Sequence, residues 1–148
     1  MSVRGLAMSW ADFYRRRDAL DAVLEHARRE PDGPLPFAEV TGVTEVFGSR
    51  TELLLALHYR WLLALTGRLG VALSDAEPGA DRVDAVAAAR RAAATAHPVL
   101  RGLLDRHADE GDEAMATALA GERRLLALAA GLDVLDPSPE TVEVTGVL

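Results

Sequence analysis

The stretch "TGVTEVFGSRTELLLALHYRW", residues 41–61, decides the fold because it contains a helix start and the beginning of a long leucine-rich helix. Ser49 and Glu52 have the spacing of a capping box, in which two side chains satisfy free backbone N–H groups at a helix N-terminus. From Arg50 the apolar pattern continues to about Asp75. One stripe contains Leu54, Leu57, Trp61, Leu65 and Leu69, and it is widened by Leu55, Tyr59, Leu62 and Leu73. A helix with apolar residues around so much of its circumference is expected to be buried on several sides.

Helical signals also dominate the rest of the chain. A first helix is predicted from a cap at Ser9 to near Glu30, where a Pro- and Gly-rich stretch follows. Its expected buried side consists of Phe13, Leu20, Leu24 and Ala27. The segment "LPFAEV", residues 35–40, predicts one short turn of helix. Asp81 and Asp112 are predicted to cap two later helices.

The His97–Pro98 pair is expected to break the chain between two helices. Gly131 is the predicted C-cap of the helix that ends near Ala130. The C-terminal "DPSPETVEVTGVL", residues 136–148, is compatible with a helix start at Ser138, a short strand or a frayed tail. The sequence therefore predicts an all-α protein with about six or seven helices.

Composition restricts the possible functions. The 148 residues include no cysteine, which excludes disulfides, thiolate metal sites and cysteine nucleophiles and fits a cytoplasmic protein. No signal peptide and no stretch long enough to span a membrane is expected. All 16 basic residues are arginine, and the net charge is −7. Residues 1–61 are nearly neutral and residues 62–148 are acidic, so neither half attracts phosphates without further arrangement.

The run from Trp10 to Trp61 resembles the N-terminal region of the tetracycline-repressor (TetR) family of transcriptional regulators. In that family, the helix-turn-helix is followed by a sequence motif that consists of an aromatic residue, a turn, a small capping residue, a basic residue and a leucine-rich helix. The corresponding positions here are Phe47, Gly48, Ser49, Arg50, Glu52, Leu53 and Leu54. "FAEVTGV", residues 37–43, is similar to the first helix-turn-helix segment, in which Ala38 would pack and Gly42 would make the turn.

The resemblance implies a TetR-like helical fold with two parts. Residues 1–48 would form an N-terminal three-helix head with a reduced recognition helix. Residues 49–148 would contain the long connecting helix and a small C-terminal helical bundle for ligand binding and dimerisation.

This chain departs from the family between Val43 and Phe47. Only Thr44, Glu45 and Val46 lie there, so the segment is about five residues shorter than a recognition helix of the family. Three residues at about 1.5 Å each make less than one helical turn. Base reading requires several side chains on one face of a helix in the major groove, and Glu45 has the wrong charge for phosphate. We therefore expect ordinary operator binding to be weakened or lost.

If the chain contacts DNA, the expected residues are Arg15, Arg16, Arg17, Thr44 and Arg50. The competing interpretation is that the three consecutive arginines form surface ion pairs with Asp12, Asp18 and Asp21.

Effectors of this family bind between helices, and a pocket of that kind is mostly apolar with a few polar anchors. The candidate ligand-binding residues are His58, Tyr59, Trp61, His97 and His107. The alternative is that Tyr59 and Trp61 pack in the core and that the histidines are satisfied locally.

The resemblance also implies a homodimer that pairs through its last helices. The predicted interface contains Met115, Leu119, Leu126 and Ala129. The four histidines lack the spacing of a metal site, and no motif indicates a cofactor or a catalytic nucleophile. We therefore expect no metal, no cofactor and no enzymatic activity, with a scattered active site as the remaining enzyme hypothesis.

The resemblance thus implies a TetR-like homodimeric regulatory protein that senses a small apolar ligand or a partner, with ordinary operator binding weakened or lost. The alternative is a genuine TetR-family repressor that reads DNA with a divergent head.

Overall fold

A computed structural model describes residues 2–77 and 81–132, with side chains from Trp10 onward. The described residues form helices joined by turns and contain no strand. The helices are α1 (Ser2–Arg29), α2 (Val43–Val46), α3 (Arg50–Asp75), α4 (Arg82–Ala96), α5 (Pro98–His107) and α6 (Glu113–Ala129). A single turn of 3₁₀ helix, Ala108–Glu110, joins α5 to the loop before α6. The predicted all-α class is confirmed.

Local capping fixes the starts of α3, α4 and α6. The Ser49 hydroxyl accepts a hydrogen bond from the Glu52 N–H at 3.1 Å, while the Glu52 carboxylate accepts one from the Gly48 N–H. Asp81 and Asp112 accept hydrogen bonds from N–H groups in the first turns of α4 and α6. At the end of α6, Gly131 has a φ of +82°, a conformation that favours glycine. These predicted boundaries are confirmed.

The long helix α3 forms the centre of the core. Its predicted stripe is buried against α4, α5 and α6, and Leu57, Trp61 and Leu65 are completely inaccessible to solvent. Helix α1 packs against α2 and α5. The other side of α3 is different, because Tyr59 remains exposed and does not widen the buried face as the sequence predicted.

Two expectations for α1 were wrong. The helix begins at Ser2 instead of at Ser9, so Ser9 is an internal residue of the helix and not its cap. The preceding segment, which contains Val3, Leu6 and Ala7, has no residue that forbids a helix. Phe13 was expected on the buried side of α1, but its side chain is exposed. Leu20 and Ala27 are buried as predicted.

The N-terminal head lacks the middle helix of the predicted three. Residues 35–40 form turns, in which the Glu39 carboxylate accepts a hydrogen bond from the Phe37 N–H at 3.0 Å. Leu35 is buried there, whereas Ala38, which was expected to pack, is exposed. Gly42 has a φ of +89° and makes the predicted turn directly before α2.

Residues 78–80 and 133–148 lie outside the described ranges. The three alternatives for residues 136–148, a helix start at Ser138, a short strand or a frayed tail, therefore stay predictions. None of the described helices has the length and apolar character needed to cross a bilayer.

Candidate functional site

Helix α2 occupies the place where a recognition helix is expected. It has four residues, and its ends are fixed by Val43 and Phe47, both of which are completely buried. Thr44 and Glu45 are exposed on it, and Val46 is partly buried. The short segment thus presents one hydroxyl and one carboxylate to solvent.

The three consecutive arginines of α1 lie beside this segment. The Arg16 guanidinium carbon is 4.9 Å from the centre of the Phe47 ring, and that of Arg17 is 5.4 Å from the centre of the Tyr14 ring. Within the described part of the chain, no carboxylate lies within 4.0 Å of Arg15, Arg16 or Arg17, so the predicted ion pairs with nearby aspartates are not formed. Arg16 and Arg17 lie over aromatic rings instead.

Two other charged groups of this region have partners within the chain. Asp21 pairs with Arg60 of α3 at 2.7 Å. Arg50 lies 3.5 Å from Glu110 and 5.9 Å from the centre of the Phe37 ring. Arg50 therefore connects the start of α3 to the 3₁₀ turn, which reduces its freedom to reach phosphate.

A buried polar cluster lies at the centre of the bundle. Glu122 of α6 is 7% exposed, and one of its oxygens accepts a hydrogen bond from the Trp61 indole N–H at 3.1 Å. The same oxygen is 2.8 Å from His58 Nε2. A buried carboxylate is costly unless it is paired and hydrogen-bonded, so these contacts make its position in the core tolerable.

Two arginines complete the cluster from α4 and α5. Arg90 lies 3.8 Å from the second carboxylate oxygen of Glu122, and the Arg101 guanidinium carbon is 4.5 Å from the centre of the Trp61 ring. Burial alone would raise the pKa of Glu122. The hydrogen bond and the electrostatic interaction with His58, together with the positive charges of Arg101 and Arg90, outweigh burial, and the pKa of this carboxyl is lowered.

The cluster joins side chains from α3, α4, α5 and α6, with two hydrogen-bond partners at one Glu122 oxygen and the Arg90 ion pair at the other. Such an arrangement positions helices and specifies a register between them. Sequence reasoning singled out His58 and Trp61 but missed Glu122, Arg90 and Arg101. The described residues contain no group of three or more His, Cys, Asp or Glu side chains arranged to hold a metal ion.

The five predicted ligand-binding residues do not line one pocket. His58 and Trp61 meet at the buried cluster, whereas Tyr59 is exposed on the opposite side of α3. His97 is exposed at the junction of α4 and α5. His107 is buried and contacts Glu110. Of the two interpretations of Trp61, core packing is the one that its complete burial supports.

An open groove runs between α1 and α3, with a volume of about 380 Å³. Its apolar lining includes Phe13, Leu20, Leu55, Tyr59 and Leu63. The lining also includes three positively charged side chains, those of Arg16, Arg17 and Arg60. The groove combines exposed aromatic and aliphatic groups with positive charge.

The apolar surface continues from this groove along α3. Leu63 also borders a shallow trough between α3 and α4, whose lining includes Gly67, Val71, Ala88 and Ala92. At the other end, the rings of Trp10, Phe13 and Tyr14 contact one another. We call this continuous surface the α1–α3 face; its large side chains are Trp10, Phe13, Tyr14, Tyr59, Leu63 and Val71, all of them exposed.

The predicted dimer interface on α6 is mostly used within the chain. Met115 and Leu126 are buried in the core, and Leu119 and Ala129 are partly buried against it. The face of α6 that these residues define is therefore turned towards α3. Leu128 is the large apolar side chain that α6 exposes.

A scan against protein-family models found no match, and neither did searches of curated proteins and of solved structures.

Proposed function

We propose that this chain is a TetR-like regulatory protein that has lost ordinary operator binding and acts by binding a partner through the α1–α3 face. The strongest support is α2, which makes one turn of helix between Gly42 and Phe47. A recognition helix needs several side chains on one face to reach base edges in the major groove. One turn offers too few, and the exposed Glu45 repels phosphate.

The exposed surface favours a protein as the partner. Contiguous exposed apolar patches on a folded chain mark interaction sites. The α1–α3 face is open and carries aromatic side chains that are about half to two thirds exposed, whereas sites for small molecules enclose most of the ligand surface. A small apolar ligand, the other effector class that the resemblance implies, would occupy the deepest part of the groove near Leu20 and Leu55. Neither role requires catalysis.

A DNA-binding repressor with a divergent head is the second candidate. It is favoured by the exposure of Arg15, Arg16 and Arg17 and by the lack of a carboxylate within 4.0 Å of them among the described side chains. Such cations are available to phosphate. They would give salt-sensitive affinity, because each neutralised phosphate releases counterions.

A DNA titration separates the two candidates. Protein would be titrated into two fluorescently labelled DNA duplexes, one from the region upstream of its own gene and one of random sequence, and the fluorescence anisotropy followed at about 50 and about 200 mM salt. The proposed function predicts no saturable binding to either duplex at the lower salt. Tight, sequence-selective binding that weakens steeply with salt would contradict it.

If the protein binds DNA, a test variant and a control variant identify the surface that contacts it. Substituting Arg15, Arg16 and Arg17 with alanine would abolish binding through the head. Substituting the exposed pair Arg123 and Arg124 on α6 is the matched control for a general loss of positive charge.

A further inference from the structure

We infer that the partner at the α1–α3 face is a second copy of this chain, bound about a two-fold axis close to Gly67 so that the two α3 helices cross antiparallel. This assignment rests on the proposed function only in taking the face to be a protein-binding surface. It places dimerisation on the long helix and α1, away from the α6 residues that the sequence predicted.

The apolar side chains of α3 are arranged symmetrically about Gly67. Leu63 and Val71 lie about one helical turn to either side of it, and they are 57% and 62% exposed. An antiparallel two-fold would place Leu63 over the partner's Val71 and repeat the same contact on the other side of the axis. A two-fold interface requires this kind of self-complementarity, in which one patch serves both copies.

The surface around Gly67 allows two helices to approach closely. A Cβ atom built at Gly67 would meet no other atom within 4 Å, so the position is open to solvent. Ala88 and Ala92 of α4 form the floor of the trough beside it. The ridge formed by Tyr59 and Leu63 on one copy would fit this trough on the other.

Charge sets the antiparallel direction. Arg16 and Arg17 border the end of the face near Tyr59. At the opposite end, the exposed Asp75 follows Val71 by one turn, and the exposed Asp84 precedes Ala88 by one turn. Arg68 also lines the trough, but it lies next to Gly67 and therefore beside the axis, not at this end. An antiparallel pair brings the basic end of one copy over the acidic end of the other, whereas a parallel pair would place like charges together. Complementary charge of this kind fixes register and excludes the wrong orientation.

The chain contains no cysteine, so single thiols can report the contact. Purified full-length Leu63→Cys and Val71→Cys would be mixed, with a mass label on one of them, and oxidised at a concentration that favours association. A disulfide forms only where the two Cα atoms come within about 7 Å. With the two variants in equal amounts, random pairing would make the mixed disulfide equal to the sum of the two self-linked products, so we expect it to exceed that sum clearly, and we expect Gly67→Cys to link to itself.

Leu128→Cys is the matched control, because Leu128 is exposed to a similar extent, 54%, on α6. We expect it to stay largely unlinked. Preferential linking at position 128, with none between positions 63 and 71, would overturn the interface while leaving the loss of operator binding intact. Conversely, DNA binding by a dimer linked through positions 63 and 71 would contradict the proposed function and leave the interface standing.

Light scattering with charge variants tests the same surface without thiols. Leu63→Glu is expected to shift the protein to monomer with an unchanged helical circular-dichroism spectrum, and Leu128→Glu to leave it dimeric. A dimer unaffected by Leu63→Glu would overturn the inference. So would a wild-type monomer that dimerises only after residues 133–148 are removed, because that tail would then be the occupant of the face.

Discussion

The two sides of α3 differ sharply although they belong to one continuous helix. One side carries Leu57, Trp61 and Leu65, which are completely buried against α4, α5 and α6. The other carries Tyr59 and Leu63, each of which is more than half exposed. Both sides are apolar, so hydropathy alone does not distinguish the side that folds the chain from the side that remains open.

The difference shows how a helix can serve both stability and association. Burying a large apolar side chain contributes about 1.5–3 kcal/mol to folding, which the inner side of α3 already obtains within the chain. The outer side keeps its apolar area in contact with water until a partner covers it. Substitutions on the two sides should therefore change different observables.

The largest effect on folding is expected from Trp61→Ala. The substitution leaves a cavity in the core and removes a hydrogen bond to Glu122, so we expect a loss of about 3–5 kcal/mol in the free energy of unfolding. Urea denaturation below the association concentration would measure it. Tyr59→Ala, on the open side, should cost less than about 1 kcal/mol. An equal loss from both substitutions would remove the distinction between the sides.

A smaller effect is expected from Glu122→Gln, which keeps the shape of the side chain and removes its charge. The buried His58 and the nearby arginines lose a carboxylate partner, so we expect a loss of about 1–3 kcal/mol at neutral pH. Chemical denaturation at several pH values would measure it.

The same variant should change the pH dependence of stability. The pKa of Glu122 is lowered from its ordinary value of 4.5, so its stabilising contribution is fully present above pH 4.5 and is lost as the pH falls through the lowered value. Glu122→Gln should flatten the acid side of the stability profile. Glu77→Gln, at an exposed carboxylate, is the control; an identical flattening there would show that the buried cluster is not the source.

The smallest effect is expected at the start of α3. Ser49→Ala removes the hydroxyl that accepts the Glu52 N–H and should cost about 1 kcal/mol, which corresponds to a few degrees in Tm. Ser74→Ala, in an exposed position of the last turn, should leave Tm almost unchanged. Thermal unfolding would compare the two. Equal Tm values for both variants would mean that the cap does not fix where the long helix begins.

Features encoded by neighbouring residues could be predicted from the sequence. The caps at Ser49, Asp81 and Asp112 satisfy N–H groups two or three positions away, and the break at His97–Pro98 follows from proline sterics. The shortening of α2 could be predicted for the same reason, because three residues cannot extend beyond one turn.

Features that depend on packing between distant residues could not be predicted. His58 and Glu122 are 64 positions apart, and no local pattern marks Glu122 as buried when it lies beside exposed arginines on α6. Tyr59 and Trp61 lie two positions apart on α3, but only the placement of α4, α5 and α6 determines which of them is covered. The start of α1 at Ser2 was missed because Ser9 has the composition of a cap within a sequence that tolerates helix.

Sedimentation velocity of the wild-type protein over a range of concentrations, with a labelled duplex of its upstream region at low salt, tests the central claim most directly. The outer side of α3 is predicted to associate with a second copy, so the protein should sediment as a concentration-dependent dimer while the duplex sediments at its free rate. A protein that stays monomeric at every concentration, or a duplex that sediments with the protein, would contradict the account.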